Sequence, residues 1–147
     1  MAKRTEWPKI AVYLLLEKAE KVMLIRRYNT GWHDGDFSLP AGHVKSGEPA
    51  IQSMIREAKE EVGVIVRKED LELAHVIHRN KTLDNPEYVD LYFRAKRWKG
   101  KIKMGPSCDK IQWSGLNNLP GNIIPVVEFV LKQISNGKLY SDQGWRE

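Results

Sequence analysis

The stretch LPAGHVKSGEPAIQSMIREAKEEVGV, Leu39 to Val64, decides how this chain is read. Pro40, Gly42 and Gly47 interrupt regular structure at its start. Pro49 suits a first helical turn, where its missing N–H costs nothing. From there Ile51, Met54, Ile55, Ala58 and Val62 recur at i, i+3, i+4, i+7 and i+11, the spacing of one buried helix face. Gly63 is placed to end the helix. Glu57, Glu60 and Glu61 then fall within an arc of about 100° on the opposite side. Like charges at these spacings repel, and the positions four residues after Glu57 and Glu60 hold Glu61 and Val64 rather than a lysine. Glu60 and Glu61 also sit in the last turn, where the helix dipole disfavours anions. Helical geometry leaves two readings open: a solvated acidic face, or oxygen ligands for a hard cation such as Mg²⁺, Mn²⁺ or Ca²⁺.

Outward from this helix the pattern is mixed. Ile10 to Leu16 is an apolar run suited to a buried strand, and Val22 to Ile25 is a second; the polar turn Glu17–Lys21 joins them as a hairpin. Tyr28 to Asp36 is a loop. Phe37 to Val44 starts as a strand and breaks at Pro40 and Gly42. Leu71 to His78 and Tyr88 to Trp98 read as strands, Lys110 to Trp113 as a short one, and Asn122 to Ile134 as a final amphipathic helix. Strands before, between and after two helices imply a mixed sheet with helices packed on it, an α/β layered domain.

The 147 residues are 41% hydrophobic and 29% charged, the composition expected of one domain spanning 1–147 with a sizeable core. No apolar run reaches the length of a membrane span, and the basic start Met1–Trp7 lacks the apolar segment of a secretory signal. The lone Cys108 has no internal disulfide partner, which fits a reducing, cytoplasmic setting. A net charge of +5 favours anionic partners such as nucleotides.

Gly42, five residues, Glu48, seven residues, then Arg56-Glu57-Ala58-Lys59-Glu60-Glu61-Val62-Gly63-Val64 resembles the Nudix box at every specified position. With about 7% chance at each of seven fixed positions, a random match in such a chain is on the order of one in a million. The resemblance implies a Nudix α/β/α sandwich with a mixed central sheet. It implies hydrolysis of a nucleoside diphosphate linked to another group, with Mg²⁺ or Mn²⁺ as cofactor and a nucleotide as partner. It makes Glu57, Glu60 and Glu61 metal-binding carboxylates and catalytic residues, with the carbonyl of Ala41 as a further ligand. Arg56 becomes the side chain that holds a box glutamate, with Glu48 as its partner or as a helix-orienting residue. Similarity to the MutT-like members makes nucleoside triphosphates, oxidised ones included, the expected substrates. On that likeness Arg27 contacts phosphate and Asn122, in Leu119-Pro120-Gly121-Asn122, reads the base edge; the alternatives are a solvated strand end for Arg27 and an N-cap of the last helix for Asn122.

Two departures from the family pattern stand out. Gly105-Pro106 replaces a common Glu-Pro, leaving Asp109 as the nearby acid and a second metal in doubt. His78 to Thr82 lacks the Pro or Tyr that often marks enzymes acting on ADP-ribose or dinucleoside polyphosphates. Trp32 is a candidate for stacking on the base or for anchoring its loop; His33 reads as a polar loop residue, and His43 as a phosphate neighbour or a hydrated side chain. Lys96 to Lys103, with Trp98, reads as a basic hairpin. RNA binding is its less favoured role, and lysine protection of a sheet edge the favoured one. Tyr140 to Trp145 is expected to pack back on the domain or on a partner chain, in a monomer or homodimer. Alternatives to triphosphate hydrolysis are an RNA 5′-end or nucleotide-sugar pyrophosphohydrolase, or a non-catalytic nucleotide- or RNA-sensing module.

Overall fold

The computed structural model describes residues 2–146. Its first hairpin joins β1 (Lys9–Lys18) to β2 (Lys21–Arg27) through only Ala19 and Glu20. Both take positive φ, 52° and 61°, the twist-matching conformation of a two-residue hairpin loop. The turn is therefore tighter than the polar run Glu17–Lys21 suggests. β3 (Phe37–Ser38) and β4 (Ala41–His43) follow; the chain breaks at Pro40, while Gly42 lies inside β4. Helix α1 covers Ala50–Val62, and β5 (Glu72–Arg79), β6 (Tyr88–Ala95), β7 (Cys108–Gly115), α2 (Pro125–Ser135) and β8 (Tyr140–Gln143) complete the order.

β1 belongs to two sheet regions. Along its length it runs parallel to β6, with Lys9 opposite Tyr88 and Leu16 opposite Ala95, and β4 pairs antiparallel on its other side. That region runs β4-β1-β6-β5-β8. The end of β1 passes into β2, which carries β3 and β7 antiparallel on its two edges. The apolar run in β1 does not alternate because both faces are covered. Val12, Leu14 and Leu16 meet Met54, Ala58 and Val62 of α1. Leu15 meets Val127, Val130, Leu131 and Ile134 of α2. The two helices thus lie on opposite faces of a mixed sheet, the expected α/β/α sandwich. No helix among the described residues is long and apolar enough to cross a membrane.

Expectations at three segments are corrected. The last helix starts at Pro125, not Asn122: the residue before a proline disfavours helical backbone, and Asn122 ends a turn before Ile123 bridges Phe37, Asn122 O and Ile124 N–H both bonding Phe37 at 2.7 and 2.9 Å. Asn122 is accordingly not the N-cap. β6 stops at Ala95, and Lys96–Lys103 is no hairpin; Lys99 instead exchanges both backbone hydrogen bonds with Ile65, just past the end of α1. The strand expected at Lys110–Trp113 extends over Cys108–Gly115 because β2 pairs with all of it. Residues 140–143 pack back as a strand, parallel to β5, and Trp145 follows with its indole N–H on His78 O at 3.0 Å.

Candidate active site

Helix α1 is anchored by its buried Met54, Ala58 and Val62 and ends at Gly63, whose φ of 70° closes the last turn. That orientation turns Glu57, Glu60 and Glu61 toward β4. The ladder from β4 to β1 uses Pro40 O and Val44 N–H, bonded to Leu14 and Ile10. Alternation then points the backbone of Ala41 the other way, toward α1. Its N–H donates to Glu61 Oε2 at 2.8 Å, and its carbonyl shares that edge. Next to it, Gly42 is required by close approach: a Cβ there would lie 2.1 Å from Glu57 Cδ.

Arg56 organises the cluster. Its Nε and Nη2 hold both oxygens of Glu48, each at 3.0 Å, and its Nη1 reaches Glu57 at 2.8 Å and Glu60 at 3.3 Å. This guanidinium, with the Ser53 hydroxyl, brings Glu48 down to about 2. The Arg56–Glu48 pairing expected from the box is present. Glu61 has no such partner. Burial pushes it up to about 7, with Glu57 and Glu60 adding to the rise and the Ala41 N–H and Arg27 opposing it.

A cavity of about 200 Å³ opens among these carboxylates, closed on the far side by Ile25 and Gly105–Cys108. Among the described residues the glutamates line it without converging on one point, since Arg56 holds two of them and Ala41 the third. Their donors suit a hard divalent cation: carboxylate oxygens, one of them half-buried and raised chiefly by that burial, beside a free-edge carbonyl. Asp109 lies elsewhere, its carboxylate paired with Arg26 at 2.7 Å on the strand face opposite Cys108.

Glu61 gives a signed pH dependence. The folded protein holds its proton to about pH 7, against an ordinary value of 4.5, so without metal the fold loses stability as pH rises through that window. Urea unfolding in EDTA is expected to show this loss between pH 5 and 7.5, and Glu61→Gln to abolish it. A divalent cation held by the Glu61 carboxylate would displace the same proton, and its apparent affinity should then climb about tenfold per pH unit below 7 and level above it. A flat calorimetric profile would refute the coupling.

A second cavity, about 350 Å³, lies on the other side of Ala41 and Gly42, with Tyr13, Arg27, Trp32, Arg79 and Tyr88 in its wall. Arg27 braces the 28–36 loop: Nε donates to Trp32 O at 2.7 Å, Nη2 to Thr30 Oγ1 at 2.8 Å, and the guanidinium lies 5.0 Å from the centre of the Trp32 ring. Arg27 and Trp32 are therefore brought together at the cavity. Asn122 is not in its wall; its amide is bonded to Gly35 O at 2.8 Å. His43 is, with Nε2 3.0 Å from the Tyr88 hydroxyl.

Tyr13, Arg79 and Tyr88 escape sequence reasoning. The available signal was Asp90, a carboxylate inside an apolar strand, which demands a cationic partner. Asp90 is fully buried and takes Arg79 Nε and Nη2 at 2.7 and 3.2 Å, while Arg79 lies 4.6 Å from the centre of the Tyr88 ring. Arg79→Ala strands that charge. A stability loss of roughly 3–5 kcal/mol in denaturant unfolding is expected, and a loss below about 1 kcal/mol would contradict the pairing.

The NUDIX domain family profile matches residues 7–133. This chain belongs to the Nudix family. Among curated Nudix relatives, an ADP-ribose pyrophosphatase of Methanocaldococcus jannaschii is 32% identical over 113 residues, covering 77% of this chain and 65% of that protein. The NAD-capped RNA hydrolase NudC of Pseudomonas aeruginosa is 31% identical over 120 residues, 78% of this chain and 40% of its own length. The chain thus spans about two fifths to just under two thirds of these relatives. In fold it resembles a MutT Nudix hydrolase from Burkholderia pseudomallei, with TM-score 0.78, 22% identity and coverage of 87% and 98%. A MutT protein from Methanosarcina mazei gives 0.78, 18%, 92% and 98%.

Proposed function

We propose that this Nudix chain is a metal-dependent pyrophosphohydrolase that acts on nucleoside triphosphates, oxidised purine ones included, and releases the monophosphate and pyrophosphate. One observation carries the reading: Ala41 and Gly42 line the aromatic, cationic cavity and lie against Glu61 and Glu57, which line the carboxylate cavity. A substrate lying across that strand has its base among Tyr13, Trp32 and Tyr88 and its phosphates beside Arg27 and the α1 glutamates. At about 350 Å³ the second cavity is at the small end for ligand sites, which suits one nucleoside.

Glu57, Glu60, Glu61 and the Ala41 carbonyl are the groups that would hold Mg²⁺ or Mn²⁺. The bound cation supplies neutralisation of phosphate oxygens and a more acidic water. Water oxygen bonds to phosphorus, the bridging P–O bond breaks, and a carboxylate of the cluster takes the proton. Arg56, anchored by Glu48, positions Glu57 and Glu60, and Arg27 faces the phosphates as a fixed cation. The full carboxylate set supports catalysis over a sensing role.

A second substrate reading, ADP-ribose, is favoured by the archaeal relative of that name. A panel of nucleoside triphosphates, oxidised purine triphosphates, ADP-ribose, nucleotide sugars, dinucleoside polyphosphates and 5′-triphosphate RNA, with Mg²⁺ or Mn²⁺ and products identified, separates them. The triphosphates should show the highest kcat/KM. Dominance of ADP-ribose selects the second reading, and no hydrolysis of any member defeats the enzyme reading.

A further inference from the structure

The basic run Lys96–Lys103 loses its expected part in sheet protection, because it forms no edge hairpin. It crosses instead over the α1 face of β2 and β7, where Trp98 and Ile102 pack with Trp113. There an open groove of about 440 Å³ is bounded by Lys18, Lys21, Trp98, Ile102 and Trp113. The two indoles are nearly parallel, 20° apart with ring centres separated by 6.3 Å, and both border the groove. Exposed lysines surround them. Lys18, Lys21, Lys96, Lys99, Lys101 and Lys103 have no carboxylate within ion-pair distance among the described residues. The nearby Glu17 is neutralised by Arg94.

We infer that this groove binds single-stranded nucleic acid. Planar aromatic faces beside a track of unpaired cations are the two elements such a ligand requires: bases stack on the indoles and phosphates displace counterions from the lysines. A duplex, its bases already stacked, lacks the free faces that Trp98 and Trp113 would engage. Unpaired lysines alone would describe a solvated surface; the paired indoles in the groove wall distinguish it. The same segment runs on to Gly105–Cys108, which closes the carboxylate cavity. Trp98 and Gly105 are seven residues apart, so at most about 25 Å of extended chain separates the groove from the α1 glutamates. The inference does not depend on the hydrolase reading.

The test is fluorescence anisotropy of labelled single-stranded RNA, single-stranded DNA and duplex oligonucleotides with the full chain in EDTA, where metal-dependent turnover is absent. One or both single strands should bind at least tenfold more tightly than duplex, and comparing RNA with DNA identifies the preferred strand. Affinity should fall steeply with salt. Trp98→Ala should weaken single-strand binding about 5- to 150-fold, as loss of one stacked base predicts. Lys21→Gln with Lys101→Gln, at exposed positions that leave the fold intact, should reduce the salt slope by between one and two. Both variants should retain mononucleotide hydrolysis within about twofold of the parent, if the parent hydrolyses. Equal binding of duplex and single strand, or heparin competing equally well against parent and Trp98→Ala protein, would show attraction by charge alone and overturn the inference. So would affinity unchanged in both variants.

Discussion

Glu61→Gln should lower kcat/KM for the best substrate of the panel by about two to four orders of magnitude, the range for loss of a positioned acid–base group. Gln still offers an oxygen to the Ala41 N–H, so the 2.8 Å contact between α1 and β4 can persist. What disappears is the negative charge in the carboxylate cavity. Glu60→Gln removes a second charge from a more exposed position and should also cost activity severely. The check is steady-state kinetics at saturating Mg²⁺, paired with a Mg²⁺ titration. Thermal melts confirm folding, and without metal Glu61→Gln should be no less stable than the parent above pH 7, since the buried charge is gone. Parent-like turnover in both variants would remove the α1 cluster from the chemistry.

Gly42→Ala tests the same site from the opposite strand. Its new methyl would sit 2.1 Å from Glu57 Cδ and 2.3 Å from Oε1, distances at which one group must leave. The backbone of β4 is held to β1, with Val12 opposite Gly42, so the flexible glutamate moves. That movement breaks its 2.8 Å bond to Arg56 and takes a carboxylate out of line with its neighbours. Misplacement of about 1 Å costs roughly 100-fold in rate, and a loss of that size in kcat is expected. The melting temperature should stay within a few degrees, because no ladder bond is lost. Rates within twofold of the parent would mean that Glu57 works equally well from another rotamer.

The residues differ in how far their neighbours in sequence account for them. Those of α1 are locally determined. Ile51, Met54, Ala58 and Val62 define a buried face, Gly63 ends it, and the spacing of Arg56, Glu57, Glu60 and Glu61 puts the charges on the other side. Even the Arg56–Glu48 pairing follows from a short separation. The basic segment at Lys96–Lys103 and the start of α2 are different. Alternation suggested a hairpin in one, but Lys99 found its backbone partner in Ile65, 34 residues earlier in the chain. Apolar spacing suggested a helix from Asn122 in the other, but extended pairing with Phe37 and the restriction before Pro125 prevailed.

The sequence by itself determined helix α1, the clustering of its carboxylates and the two-layered covering of an apolar sheet, because helix periodicity and short-range spacing are set over a few turns. Only the tertiary structure decided what stands opposite that helix. The parallel register of β1 on β6 and the pairing of β5 with β6 bring Tyr13, Arg79 and Tyr88 to one cavity, and the β4 edge turns Ala41 toward Glu61. Those juxtapositions join residues 9 to 75 positions apart. They depend on strand register, and a one-residue slip would turn each side chain to the other face.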